Sequence, residues 1–409
     1  IKQNLIIKKN KNFYYCIIYK MNLVYHEIKP SNDIQGTSGF SEYNSIDFNI
    51  VASGRQMMLG SIKIAGQLIV NTAGSGIAGT RTDKTKDIKL DNKIGAHAVF
   101  SSFQSEITSG NNAQVLENCQ EYPRYCALLN VASEKETDVC DITDQCQLKG
   151  AFEGNGSTNL GQQFSNTANG SCVADEDPSF CIHPKICFNS AIGSKLYSFD
   201  KLGQIKISCN LARTVNALYG QDMNSNVNYS LHNVRLLFMS VPDSTKQPPL
   251  LMDSYAMIKS TMVSPQINVQ SRVPARRVKS CSIVFLRQKQ ESSLKQNTNE
   301  LQQLPQLDEV SYSFQDTLTN YITYNITDLG DALKRGIESV PSADANPRNN
   351  SVQAENQAGQ RGYILGTDFD GEFIDLSQQK FGFLCKSKFE QMNNDQRLVY
   401  LYFHSSISL

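Results

Sequence analysis

Cys181, His183 and Cys187 form C-x-H-x3-C, a run that could offer a zinc ion three ligands. The spacing fits no compact zinc knuckle, Pro184 stiffens it, and no second ligand pair follows. Cys119/Cys126 and Cys140/Cys146 are spaced as loosely, so these cysteines read as buried free thiols. Gly74, Gly76 and Gly79 spell G-x-G-x-x-G after a strand-like run. A dinucleotide site needs a helix to begin there, and TRTDKTKDIKLDN has no apolar helical face, so a loop is expected. Asp368, Asp370 and Glu372 in GTDFDGEF could gather calcium, but an EF-hand needs flanking helices and a later bidentate Glu. An acidic turn is expected instead. The histidines His26, His97, His183, His232 and His404 are scattered, with no His-x-His, no Gly-x-Ser-x-Gly and no His-Glu-x-x-His. Arg272, Arg276, Arg277 and Lys279 form a basic cluster with no aromatic residue interleaved, which reads as a solvated strand end. The motifs therefore predict no catalytic residue, no metal ligand, no cofactor and no enzyme activity.

Composition narrows the class. Of 409 residues, 40% are hydrophobic and 19% charged, a globular balance with length for two domains. Lys+Arg and Asp+Glu both number 39, so no net field draws nucleic acid or membrane. Trp is absent while Tyr, Phe, Asn, Gln, Ser and Thr abound, which suits β-structure with polar loops. No apolar run is long enough for a membrane helix. The eleven cysteines, without a signal peptide, are expected to stay reduced. Residues 1–20 read either as sequence upstream of Met21 or as a basic arm that touches a partner.

Period-two alternation marks half-buried strands at Ile46/Phe48/Ile50, Ile62–Val70, Ile205–Leu211, Val234–Phe238, Val310–Phe314 and Phe381–Cys385. Leu398–Phe403 is apolar on both faces and should be buried on both. A helix broken at Pro123 is expected within 112–132. A second is expected over 328–340, with Leu329, Leu333, Ile337 and Val340 on one face and Thr327 or Asp328 capping it. Few helices among many strands exclude an alternating α/β fold. Each half closes alike: LYSFDKLGQIKISCNLA then YSLHNVRLLFMSV in the first, FIDLSQQKFGFLCKSKF then RLVYLYFHSSISL in the second. Proline-rich PDSTKQPP lies between them. The chain thus divides into a leader or arm (1–40), a first β-sandwich (41–244), a linker (245–251) and a second sandwich (252–409). Residues 136–180 and 341–360 read as long surface loops.

Four passages resemble a known lineage in pattern and order: IDFNIVASGRQMMLGSIKIAGQLIVN, KLYSFDKLGQIKISCNLARTVNALYG with YSLHNVRLLFMSVPD, VPARRVKSCSIVFL with VSYSFQDTLTNYITYNI, and LVYLYFHSSISL. The chain resembles the double jelly-roll major capsid proteins of double-stranded DNA viruses related to adenoviruses, tectiviruses and polinton-like elements. That resemblance implies an all-β fold of two tandem eight-stranded jelly rolls with a few short inserted helices. It also implies a homotrimer that imitates a hexagon and tiles an icosahedral virion shell, made in the host cytoplasm or nucleus. Long loops would project outward, and residues 21–40 would form an inner arm. The implied partners are further copies of the chain, minor capsid and penton proteins, and, weakly through the arm, genome or inner membrane; no small-molecule substrate is implied. The alternatives are a minor capsid or vertex protein, a β-sandwich adhesin or lectin, and a glycan hydrolase.

Overall fold

The alternating runs fold as strands whose apolar side points inward. Ile46, Phe48 and Ile50 are buried while Asn49 is exposed, and Ile205, Ile207, Cys209 and Leu211 repeat the pattern. The computed structural model describes residues 22–32, 39–71, 88–91, 94–133, 146–148, 179–192, 196–244, 247–299, 307–315, 320–326, 328–341, 364–369, 373–387 and 396–409. Its first half holds β1 (Val24–Ile28), β2 (Phe40–Ser41), β3 (Ser45–Ile50), β4 (Arg55–Met58), β5 (Lys63–Asn71), β6 (Lys89–Leu90) and β7 (Phe100–Ser109). These are followed by β8 (Asn112–Cys119), β9 (Ser179–Ile182), β10 (Ala191–Ile192), β11 (Leu196–Ser198), β12 (Gln204–Leu211), β13 (Leu218–Tyr219) and β14 (Asn228–Pro242). The second half holds β15 (Leu251–Met262), β16 (Gln266–Ser271), β17 (Val278–Arg287), β18 (Leu307–Gln315), β19 (Asn320–Ile326), β20 (Ile364–Asp368), β21 (Lys380–Ser387) and β22 (Arg397–Ser408).

Strand pairing shows one topology used twice. The second half has eight strands in two antiparallel sheets, ordered β15-β22-β17-β20 and β16-β21-β18-β19. By rank along the chain these orders are 1-8-3-6 and 2-7-4-5. In the first half three ranks are split strands. β1 and β2 pair successive stretches of β14, β4 and β5 line its other side, and β9 and β11 pair β5 and β4 in turn. With each split strand taken as one, the sheets again read 1-8-3-6 and, as β3-β12-β7-β8, 2-7-4-5. This is the eight-stranded double-sheet jelly roll, present twice. The matching chain ends seen in the sequence are ranks seven and eight: β12 with β14, and β21 with β22.

Antiparallel pairing makes odd and even ranks run oppositely. The connections 1–2, 3–4, 5–6 and 7–8 therefore leave from one end of each sandwich. In the first half this end carries 72–99, 120–178 and 212–227; in the second it carries 288–306, 327–363 and 388–396. At the other end the first half has only 51–54, 110–111 and 199–203.

Two expectations need correction. Residues 24–28, placed in an arm, pair with β14 from Val24↔Ser240 to Ile28↔Leu236; they carry no alternating apolar run because Val24, Tyr25 and Glu27 are exposed on an outer strand. Residues 112–119, placed in a helix, form β8 paired with β7. The helix α1 (Tyr122–Ser133) begins after them, with Pro123 in its first turn, where a missing N–H costs no helical hydrogen bond.

The second predicted helix is α2 (Leu329–Glu338). Asp328 caps it, accepting from the Gly330 and Asp331 backbone N–H groups. Ala332, Ile337 and Val340 are buried along this segment. The helix lies so close to β20 that a Cβ at Gly336 would stand 2.1 Å from the Ile364 carbonyl oxygen. Backbone cannot yield there as a side-chain tip can, so Gly336→Ala is expected to destabilise the fold by about 1–3 kcal/mol, as overpacking does. Denaturant unfolding measures this, and unchanged stability would refute the close approach.

Candidate functional site: the seam between the two sandwiches

In the sheet β15-β22-β17-β20 the strands β22, β17 and β20 are largely buried on both faces, while the edge strand β15 leaves Lys259 and Thr261 exposed. Along β22, Val399, Leu401 and Phe403 enter the core of the second sandwich, while Leu398, Tyr400 and Tyr402 join the core of the first. Along β17, Ile283 and Phe285 face one way and Val284 and Leu286 the other. The apolar two-faced run read from the sequence is thus a wall shared by both halves.

Helix α1 lies against that wall. The Tyr125 ring stacks on Tyr255 with centroids 3.8 Å apart and lies 5.5 Å from Tyr402. The Tyr255 hydroxyl donates to the Gln120 carbonyl at 3.1 Å, and the Tyr402 hydroxyl donates to the Glu121 carbonyl at 3.2 Å. Buried Arg124 pairs with Glu121 and sits 4.6 Å over the Tyr400 ring. Lys259 on β15 reaches Glu291 at 2.5 Å and Glu121 at 3.9 Å.

A buried carboxylate ties three segments together. Glu117, on an inward position of β8, accepts from Ser105 Oγ at 2.6 Å, from the Cys187 backbone N–H at 2.9 Å, and from Ser254 Oγ of the second half at 2.9 Å. Each donor is committed to a charged acceptor, which makes these strong hydrogen bonds. The stretch between β9 and β11 completes the seam. Its β10 adds to the edge of β15, pairing Ala191 with Met252, and Ser190 Oγ donates to the Asp253 carbonyl at 2.6 Å. The start of the β15 edge, at Leu251 and Met252, is thereby paired by a strand of the first half.

The candidate metal run does not converge. Cys187 is buried and Cys181 half-buried, while His183 Nε2 contacts the Gly60 carbonyl at 2.9 Å. Burial pushes the Cys119, Cys181 and Cys187 thiols up, and the nearby Glu117 adds to this at Cys119 and Cys187. Such thiols stay protonated and unreactive. His26 contacts Ser240 Oγ, His97 sits between the Tyr122 hydroxyl and Gln147, and His232 contacts Ser230 Oγ. Among the described residues no three metal-ligating side chains come together. Gly74, Gly76, Gly79, Cys140, Asp370 and Glu372 lie outside the described residues.

The basic cluster meets described residues on either side of the acidic run, distant in sequence. Val278 and Ile374 exchange backbone hydrogen bonds at 3.0 and 2.9 Å, and the Phe369 N–H donates to the Lys279 carbonyl at 3.0 Å. The basic run therefore lies beside Phe369 and Ile374. The aromatic partner missing from its own sequence arrives from residue 373: Arg277 sits 4.5 Å over the Phe373 ring. Lys279 pairs with Asp253 at 2.6 Å.

His404 lies on the shared wall with its hydrogen bonding fixed by a relay. Ser339 Oγ donates to the Gly336 carbonyl at 2.6 Å. The 2.8 Å contact between Ser282 and Ser339 hydroxyls then needs the Ser282 proton, so the 2.8 Å contact between Ser282 Oγ and His404 Nε2 needs a proton on the imidazole. Nδ1 is left as an acceptor, and it is buried with no partner among the described residues. Burial, aided by the Lys279 charge, pushes the His404 pKa down to about 3.

The fold and seam define a double jelly-roll protein. No protein-family model matches the chain, and no curated protein does. Solved structures do. The Faustovirus major capsid protein is 9% identical with a TM-score of 0.55, covering 95% of this chain and 90% of that one. PBCV-1 VP54, fitted into a reconstruction of the virophage Sputnik, is 11% identical with a TM-score of 0.54, covering 95% of each chain. A chain of the Sputnik virophage structure is 9% identical with a TM-score of 0.53, covering 95% and 86%. The chain has the fold of these viral capsid structures along nearly its whole length.

The His404 shift has a sign that can be measured. Above about 6.5 the imidazole is neutral in both folded and unfolded chains. Below that, the unfolded chain takes a proton that the folded chain refuses until about pH 3. Stability at this residue is therefore lost as pH falls between those values, by up to about 1.4 kcal/mol per pH unit. Denaturant unfolding at pH 7 and pH 5 is expected to show a shallower pH dependence in His404→Gln than in the parent chain; identical dependence would contradict the burial.

Proposed function

We propose that the chain is a major capsid subunit, and that three copies form the block from which an icosahedral shell is tiled. The observation that carries this reading is the repeated 1-8-3-6 and 2-7-4-5 topology, joined through one sheet whose strands β17 and β22 are buried on both faces. Two like sandwiches held rigidly in one chain give a trimer six similar lobes, and six-lobed blocks pack as hexagons do. The likeness to capsid structures over nearly the full chain supports the same reading. So does the contrast between the ends of the sandwiches. Long connections at one end suit an outward face, and the loop-like runs at 136–180 and 341–360 fall largely within the 5–6 connections there.

In this reading the first module begins at β1, the modules join through 243–250, and the second begins at β15. The role is structural, without a catalytic step. Minor capsid and penton proteins are its further partners, the virion is its site, and residues before β1 form the arm that touches genome or membrane. Native mass spectrometry of the purified chain is expected to give three chain masses, with larger assemblies as concentration rises. A species that remains monomeric under these conditions would overturn the proposal.

A further inference from the structure

The seam has a direction. In the second sandwich Tyr400, Val284 and Ile364 stand in one row across ranks eight, three and six, and all three belong to the core of the first. The first sandwich reaches this outer face with its rank-five strand β8, through Glu117 and Ser254, and with its 5–6 connection, through Tyr125 of α1 and through β10. The contact is heterologous: rank five and the 5–6 connection of one module meet the outer face of the 1-8-3-6 sheet of the next.

The first sandwich has the same sheet, and its outer face carries a matching row. Tyr25 on β1 opposes Met239 on β14, and Leu196 on β11 opposes Met58 on β4. Met57 opposes Ser240, which sets Met58 beside Met239. The adjacent Phe238, Ser240 and Met57 are buried, so these four side chains point the other way, out of the sandwich. Tyr25 is 76% exposed, and Met239, Met58 and Leu196 are half-buried. Two residues along, Glu27, Leu237 and Lys63 are in register, and Glu27 lies 3.9 Å from Arg235. An apolar row across four strands with a charged margin has the make-up of an interface core and its rim.

The second sandwich has the elements to cover such a row. Its rank-five strand β19 is the edge of its sheet, as β8 is, and its 5–6 connection is 327–363 with α2. The exposure of Tyr25 shows that they do not cover it within the single chain. We infer that the row Tyr25, Met239, Met58 and Leu196 is the face on which the second sandwich of another copy rests, through β19 and 327–363. The contact made once within the chain is thereby repeated between chains, and three contacts of each kind close a ring of six sandwiches. This inference rests on the trimer of the capsid reading and assigns the face that builds it.

Native mass spectrometry over a concentration series tests the face. Tyr25→Asp and Met239→Glu are each expected to raise the concentration at which half the chains are trimeric by about thirtyfold, as damage to a central interface anchor does. Circular dichroism of both variants should match the parent. Where Met239→Glu disturbs the fold, Tyr25→Asp decides, because that side chain is already largely in solvent. Val263→Glu, on an exposed residue of the 1–2 connection of the second sandwich, should leave the trimer intact. In trimers mixed from isotopically light and heavy chains, cross-links from Lys63 to lysines of the second sandwich are expected to join light to heavy. Trimers that withstand Tyr25→Asp, equal dissociation by Val263→Glu, or Lys63 cross-links confined to one chain would each overturn the assigned face and leave the capsid reading standing. A parent chain that stays monomeric would overturn both.

Discussion

The burial of the strands β17 and β22 on both faces governs this molecule. A sandwich sheet ordinarily has a wet outer face and alternates polar with apolar residues. Here β22 is buried from Arg397 to Ser406, because its second face is the floor on which the first sandwich rests. Fully burying a large apolar side chain contributes about 1.5–3 kcal/mol. Tyr400, Tyr402, Val284 and Leu286 therefore give the junction the character of a domain core and not of a mobile hinge. The linker alone would not hold two domains in register; the shared wall does.

The rest of the seam serves that wall. Helix α1 covers the tyrosines, the Glu117 carboxylate fixes β8 to β15 and to the stretch after β9, and β10 pairs the start of the β15 edge. Most polar groups named at the seam meet partners there, while Arg124 Nε and His404 Nδ1 are buried without one among the described residues.

Much of the fold is legible in the sequence because alternation survives wherever a strand has one wet face. β3, β12, β18 and β21 announce themselves in this way, and the doubly apolar Leu398–Phe403 announces its two-sided burial. β1 escapes notice because an outer strand with exposed Val24 and Tyr25 carries no buried period. β4, β9 and β11 do so because each is a short piece of a strand interrupted by residues that leave the sheet. The seam is harder to read. Glu117 looks like a surface carboxylate until its three donors, remote in sequence, converge, and nothing near Arg277 foretells Phe373. Contacts made across the seam depend on how two modules meet, and local pattern does not encode that.

The central claim is that two fused jelly rolls act as one rigid third of a six-lobed block. Single-particle electron microscopy of the purified chain tests it directly. The account predicts a particle of three chains with six sandwich densities in a near-hexagonal ring, the long connections of every sandwich rising from the same face. Particles of two lobes, or lobes whose relative orientation varies from image to image, would contradict it.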